Sequence, residues 1–211
     1  MRSNTLNHQN ILRMVQFAML AALIVVLQLV GGSIPIGLIP LTFALIPIVV
    51  GAILLGPVGG AVLGFIFGLV TVIMTPGNLI LMTLFQANPV AYVILALAKA
   101  TLAGLGGGLV YVALSKCFRG RFVYLTTLLA SIAVPIINTG VFVLGMMVFF
   151  SDTAAVMPQL FPQVFGTYIG AFQVVFIGFA GFNFVGEFLV NLVLSPAVTR
   201  IIQITGKKFN K

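Results

Sequence analysis

Long apolar runs, separated by short segments rich in proline, glycine and polar residues, make up most of this chain. Several of these runs approach or exceed the roughly 20 residues that cross a bilayer as an α-helix. The pattern predicts an all-α membrane protein, a bundle of six transmembrane helices in one integral domain over residues 1–211, with a polar tail at 1–10. The predicted spans are residues 14–30, 41–55, 61–75, 90–114, 122–150 and 178–199.

Prolines and glycines mark where these spans end. The segment 31–40 contains two prolines, which stop helices and favour a turn. Residues 76–89 indicate a loop with a short helical piece, and residues 151–166 the longest polar loop. The last apolar stretch exceeds one span, so we expect its first part, from Thr167, to form an entry helix.

A stripe of glycines runs along the third predicted span. Gly60, Gly64 and Gly68 are spaced four residues apart, and on a helix they share one face. Such a stripe lets another helix approach closely in a membrane. A second glycine cluster, at residues 104–108, lies in the fourth span.

Composition and charge agree with a membrane location. Of the residues, 61% are hydrophobic and 6% are charged, whereas soluble domains carry roughly 25% charged residues. Apart from Lys99, the basic residues cluster at 2–13, 116–121 and 200–211. With six spans these clusters fall on one side, so the positive-inside rule predicts cytoplasmic termini. Because the clusters flank apolar spans, the net charge of +8 does not indicate nucleic-acid binding.

One acidic residue lies within the last apolar run. Glu187 is one of two acidic residues in the chain, and Asn183, Glu187 and Asn191 are spaced four apart. On a helix they form one narrow stripe. A carboxylate inside a membrane span is energetically expensive and marks a functional site by default.

Other polar residues reach a similar depth. Lys99 lies about ten residues, roughly 15 Å, from the outer end of the fourth span, and Asn138 lies well inside the fifth. Asn88, in the loop before the fourth span, is a further candidate contact. One cation, one anion and several amides suit a polar, zwitterionic or carboxylate-bearing small molecule.

A purely structural interpretation remains open at this point. Lys99 and Glu187 can form an internal ion pair that holds helices in register, while the neighbouring asparagines hydrogen-bond across helices. Asn138 follows Pro135 by three residues and can satisfy carbonyls freed by a proline kink.

The sequence carries no catalytic constellation. Its one histidine, His8, lies in the polar tail, and Cys117 is its one cysteine. A carboxylate pair, a metal-spaced cluster, a phosphate loop and a nucleophile motif are all missing from the sequence. We therefore expect no enzymatic activity, no metal and no cofactor. If ATP hydrolysis drives transport, we expect partner subunits to carry it out.

Two motifs connect the chain to a known family. The segment Ile46–Ala61 reads Ile-Pro-Ile-Val-Val-Gly-Ala-Ile-Leu-Leu-Gly-Pro-Val-Gly-Gly-Ala, and Ala18-x-x-x-Ala22 lies in the first span. With six spans and cytoplasmic termini, they resemble the substrate-binding S components of energy-coupling factor (ECF) vitamin transporters, most nearly the pantothenate type. Lys99 stands in a segment where many members have Pro-Arg, and Asn183-x-x-x-Glu187 is similar to a segment common in their last span.

The resemblance implies a high-affinity vitamin-binding subunit in the bacterial plasma membrane. Such a subunit works with a membrane coupling protein, the T component, and two cytoplasmic ATPases. Ala18 and Ala22, which spacing alone assigns to ordinary helix packing, would contact the coupling protein. Lys99 would pair with the pantothenate carboxylate, while Asn138, Asn183 and Asn191 would bind its hydroxyls and amide.

Other functions remain open on this sequence. Folate, biotin, riboflavin, a thiamine precursor and cobalamin are alternative substrates, and a cationic ligand would suit Glu187 better. A stand-alone carrier or channel driven by a gradient is a second class, although the two halves show no sustained duplication. A structural membrane protein is a third.

Overall fold

The computed structural model describes residues 2–31, 43–118, 122–166 and 170–209, which are helical apart from short turns. The helices, in chain order, are α1 (Arg2–Gly31), α2 (Leu45–Leu54), α3 (Gly56–Met74), α4 (Leu79–Ala87), α5 (Pro89–Cys117), α6 (Val123–Phe149), α7 (Ser151–Leu160), α8 (Pro162–Phe165), α9 (Ala171–Gln173) and α10 (Phe182–Phe209). A 3₁₀ turn (Thr75–Gly77) follows α3, and a π-helical segment (Val174–Gly181) leads from α9 into α10.

Five helical stretches of the described chain are long and apolar enough to cross a bilayer. The prediction of an all-α, multi-pass membrane protein is therefore confirmed. The five stretches are Asn10–Gly31, Gly56–Gly77, Pro89–Cys117, Val123–Phe149 and Ala171–Ile204. They correspond to the first, third, fourth, fifth and sixth predicted spans.

The second predicted span is shorter and more deeply buried than the others over its described part. Helix α2 has 10 residues, which is roughly 15 Å of helix against a hydrocarbon core of about 30 Å. Leu45 and Ile48 are completely buried, because α2 packs against α1, α3, α5, α6 and α10. It is a central core helix. Residues 41–42 of this span, and 32–40 of the predicted turn before it, lie outside the described residues.

The predicted loop at 151–166 and the predicted polar tail are both helical in the residues that the structure describes. The predicted polar loop at 151–166 is wrong, because α7 and α8 occupy it and bury Ala154, Met157 and Phe165 completely. These three side chains join a hydrophobic cluster with residues of α5, α6 and the π-helical segment. The predicted polar tail also continues the first span, since α1 begins at Arg2.

The predicted glycine stripe of α3 lies against α5. A Cβ atom at Gly60 would lie 2.5 Å from the carbonyl oxygen of Gly104, and one at Gly68 would lie 2.8 Å from that of Ala96. Between them, Gly64 faces the carbonyl of Ala100. Any larger residue would separate the two backbones, so these glycines make the α3–α5 interface possible.

The glycine cluster of α5 serves two neighbours. Gly104 and Gly108 face α3, where Gly108 approaches the backbone of Pro57. Gly106 and Gly107 instead face α6 and contact side chains there. Helix α5 is therefore packed closely against both α3 and α6. These two contacts fix the rotation of α5 about its axis, and so the direction of its other side chains.

We predict that Gly64→Ala destabilises the protein while Gly140→Ala does not. Both replacements gain up to about 1 kcal/mol of helix propensity. At Gly64 the new methyl group would collide with the Ala100 carbonyl, whereas at Gly140 no atom outside the local helix lies within 4 Å. Overpacking costs about 1–3 kcal/mol, so the melting temperature in detergent should fall for Gly64→Ala and hold or rise for Gly140→Ala. Equal shifts would contradict the close α3–α5 contact.

Candidate functional site

A cavity of about 150 Å³ lies between the long helices. This is well above the roughly 10–15 Å³ that one water needs, so the cavity can admit a small ligand. Its wall combines aromatic and aliphatic side chains with a few polar ones, as ligand sites usually do. The lining residues are Gln28, Phe67, Thr71, Met74, Gly77, Asn78, Leu81, Leu84, Tyr92, Leu95, Ala96, Lys99, Asn138, Phe142, Met146, Asn183 and Glu187.

Four of the six residues predicted to bind substrate line this cavity. Lys99 comes from α5, Asn138 from α6, and Asn183 and Glu187 from α10. They are separated by up to 88 positions in the sequence (187 minus 99). The bundle brings them together at one end of the cavity.

The other two predicted residues lie outside it. Asn88 is exposed and caps α5, where its Oδ1 accepts a hydrogen bond from the Ala91 amide at 3.1 Å. Asparagine is favoured at such N-caps because its side chain satisfies a free helix amide. Asn191 is buried one turn beyond Glu187, and its Nδ2 donates to the Glu187 carbonyl oxygen at 2.8 Å.

Glu187 is buried and held by two amide groups. Its side chain is 1% exposed. Asn183 Nδ2 donates to Oε1 at 3.1 Å, and Asn138 Nδ2 donates to Oε2 at 3.4 Å. An unpaired buried carboxylate is very costly, so both bonds stabilise Glu187, and the bond from Asn138 also ties α6 to α10.

Lys99 makes a different kind of contact. Its ammonium nitrogen lies 4.7 Å from the centroid of the Phe142 ring, within the range of a cation–π interaction. Across the described part of the chain, no ion pair with an N···O distance of 4.0 Å or less joins Lys99 to Glu187. The two groups interact electrostatically over a longer distance. The direct ion pair considered from the sequence is therefore not formed, and the ammonium at the cavity keeps its hydrogen-bonding capacity.

Sequence reasoning missed the polar groups at the other end of the cavity. The hydroxyls of Tyr92 and Thr75 lie 2.8 Å apart and are buried. Gln28 Nε2 donates to Thr71 Oγ1 at 3.4 Å, joining α1 to α3. Each of these polar residues stands among apolar neighbours in the sequence, which is the only signal the sequence offered.

Asn78 also lines the cavity, although its position in the sequence indicated only a loop. Its Oδ1 caps α4 by accepting a bond from the Leu81 amide at 3.0 Å. Capping leaves the side-chain NH₂ group of Asn78 beside the cavity. Helix α4 therefore covers one side of the site.

Ala18 and Ala22 lie on a different surface. Both are exposed on α1, and neither lines the cavity. Large apolar side chains surround them, among them Met19 at 67% and Leu23 at 45% exposure. This face of α1 is thus apolar and unoccupied by the described part of the chain.

An apolar helical bundle with a partly polar cavity between its long helices is the architecture expected of a membrane protein that binds a small solute. The model of the family described as ECF transporter, substrate-specific component, matches residues 12–199. The chain therefore belongs to this family of transporter subunits, which bind small molecules and work with a T component and ATPases. A search of curated proteins gave no significant match.

Proposed function

We propose that the protein is the substrate-binding subunit of an ATP-driven ECF importer for a carboxylate-bearing vitamin or precursor, with pantothenate as the preferred substrate. It resides in the bacterial plasma membrane as a six-span protein with cytoplasmic termini and uses a T component and two cytoplasmic ATPases. The observation that carries the substrate class is the position of Lys99. Its ammonium reaches the cavity without an ion-pair partner in the described chain, while Glu187 is already bonded by two amides.

A ligand carboxylate is the natural partner for this ammonium. Lysine offers three N–H donors, and a charge-assisted bond is stronger than a neutral one, especially away from water. Glu187 would repel the carboxylate if it were free. The bonds that Asn138 and Asn183 donate stabilise and partly screen its charge, which lowers the repulsion that an anion on the Lys99 side would meet.

The rest of the cavity suits hydroxyl and amide groups. Tyr92 lies seven positions before Lys99 on α5, roughly 10 Å along the helix. The Tyr92 hydroxyl, the Asn78 amide and Gln28 are therefore positioned to contact the far part of an extended ligand. Pantothenate combines a terminal carboxylate with one amide and two hydroxyls, and this order of groups supports its choice.

We predict that Lys99→Met weakens pantothenate binding at least tenfold, about 1.4 kcal/mol. The methionine keeps the apolar stem but removes the charge. Glu187→Gln should weaken binding similarly, because it leaves fewer acceptors for the two asparagine amides. Lys116→Met on the exposed end of the same helix is the matched control and should bind normally. Calorimetry on detergent-solubilised protein measures the affinities.

The outcomes of this experiment separate the site from the substrate. Unchanged affinity in Lys99→Met would show that the ligand does not use this ammonium. If the wild-type protein does not bind pantothenate but binds another vitamin in a Lys99-dependent way, only the choice of vitamin is wrong.

The exposed face of α1 supports the docking proposal. Ala18 and Ala22 make a shallow strip between larger apolar side chains on that face. Small residues let helices approach closely in a membrane, and a helix of the T component would use the strip in this way. This surface is separate from the cavity, so docking and binding should respond to different mutations.

We predict that Ala18→Trp and Ala22→Trp abolish uptake yet leave substrate affinity unchanged. The bulky side chain would block close approach of the coupling protein. Val148→Trp, at an exposed position on a different helix, α6, is the control and should retain most uptake. Uptake is measured in proteoliposomes with the T component and ATPases.

ATP-driven uptake that persists in Ala18→Trp and Ala22→Trp would contradict docking at this face of α1. Uptake without any partner would favour a stand-alone carrier.

A further inference from the structure

A second, much smaller cavity is lined by Lys99. Its volume is about 10 Å³, and it is enclosed by α5, α6, α10 and the π-helical segment before α10. Lys99, Asn138 and Asn183 line both cavities, while Thr139 and Ala180 line only the small one. The small cavity is thus a polar recess in the wall of the main site.

Buried oxygens without a protein partner concentrate at this recess. In the described part of the chain, four buried side-chain oxygens have no hydrogen-bond partner. Three of them belong to residues that line the recess, namely Asn138 Oδ1, Thr139 Oγ1 and Asn183 Oδ1. The two asparagines give their NH₂ groups to Glu187, so their oxygens are directed away from that carboxylate.

The chemistry of these groups identifies the ligand. Leaving buried acceptors unpaired is destabilising, and a polar recess of roughly 10–15 Å³ holds one water with two to four partners. A metal cation would face the Lys99 ammonium, which repels it. Water can accept from the ammonium and donate to two oxygens at once.

We infer that the recess is a binding site for one buried water, which accepts hydrogen bonds from the Lys99 ammonium and the Thr139 hydroxyl and donates to the side-chain oxygens of Asn138 and Asn183. The water completes a chain of hydrogen bonds from Lys99 through the two amides to Glu187. It couples the cation to the anion without an ion pair and holds the ammonium at the wall of the main cavity. This inference does not depend on which vitamin binds.

A structure of the substrate-free protein at a resolution that shows ordered water tests the site directly. We expect one density peak at hydrogen-bonding distance, about 2.6–3.2 Å, from the Lys99 nitrogen and at least one of the two amide oxygens. The peak should persist when sodium is replaced by choline. Loss of the peak without sodium would identify a cation site, and a recess filled by the Lys99 ammonium itself would also overturn the inference.

Two matched valine substitutions provide a second test. Thr139→Val and Thr127→Val each remove a buried hydroxyl with no protein partner, but only Thr139 lines the recess. We expect the melting temperature of Thr139→Val to fall by about 2–4 °C, the shift for a loss near 1 kcal/mol in a chain of this size. Thr139→Ser should restore it, and Thr127→Val should hold or raise it. An equal rise in both valine variants would show that the Thr139 hydroxyl binds no water.

Discussion

The structure depends on how one buried carboxylate is satisfied. Glu187 lies in an apolar bundle, where an unpaired charge would be very expensive. Asn183 on its own helix and Asn138 on α6 supply the two hydrogen bonds that make it tolerable. Because the bond from Asn138 links α6 to α10, the bonds to Glu187 set the register of the helices that form one end of the cavity. They also leave Lys99 without an ion-pair partner in the described chain, and the proposed recognition of an anionic ligand rests on that.

Close helix packing gives Lys99 its direction. Ala96 and Ala100 turn toward the glycine stripe of α3, and Lys99 is rotated about 60° from Ala96 and about 100° from Ala100 on the same helix. The backbone contact with α3 leaves no freedom to rotate α5. The ammonium therefore reaches the cavity wall beside Phe142. Small residues that bind nothing themselves determine where the charged residue points.

The sequence predicted the features that depend on local periodicity. Apolar runs located the long helices, and the spacing of Asn183 and Glu187 predicted their contact within one helix turn. The glycine stripe predicted a close helix interface, although not that α5 would be the partner.

Features that depend on packing between distant segments were missed or misassigned. The sequence showed that α2 is apolar, but not that five other helices surround it. The segment 151–166 looked like a polar loop, because only the folded bundle shows where its few apolar residues are buried. Asn88 was indistinguishable from a ligand contact until the structure showed it capping α5. The partnership of Tyr92 with Thr75 likewise arises from two elements that meet only in the fold.

Lys99 is proposed to bind an acidic group of the transported molecule. The most direct measurement is mass spectrometry of small molecules that co-purify with the wild-type protein, compared with those that co-purify with the Lys99→Met variant. We expect a carboxylate-bearing molecule, with pantothenate as the first candidate, to be enriched with the wild type and depleted with the variant. A cationic molecule without an acidic group, retained equally by both proteins, would contradict it.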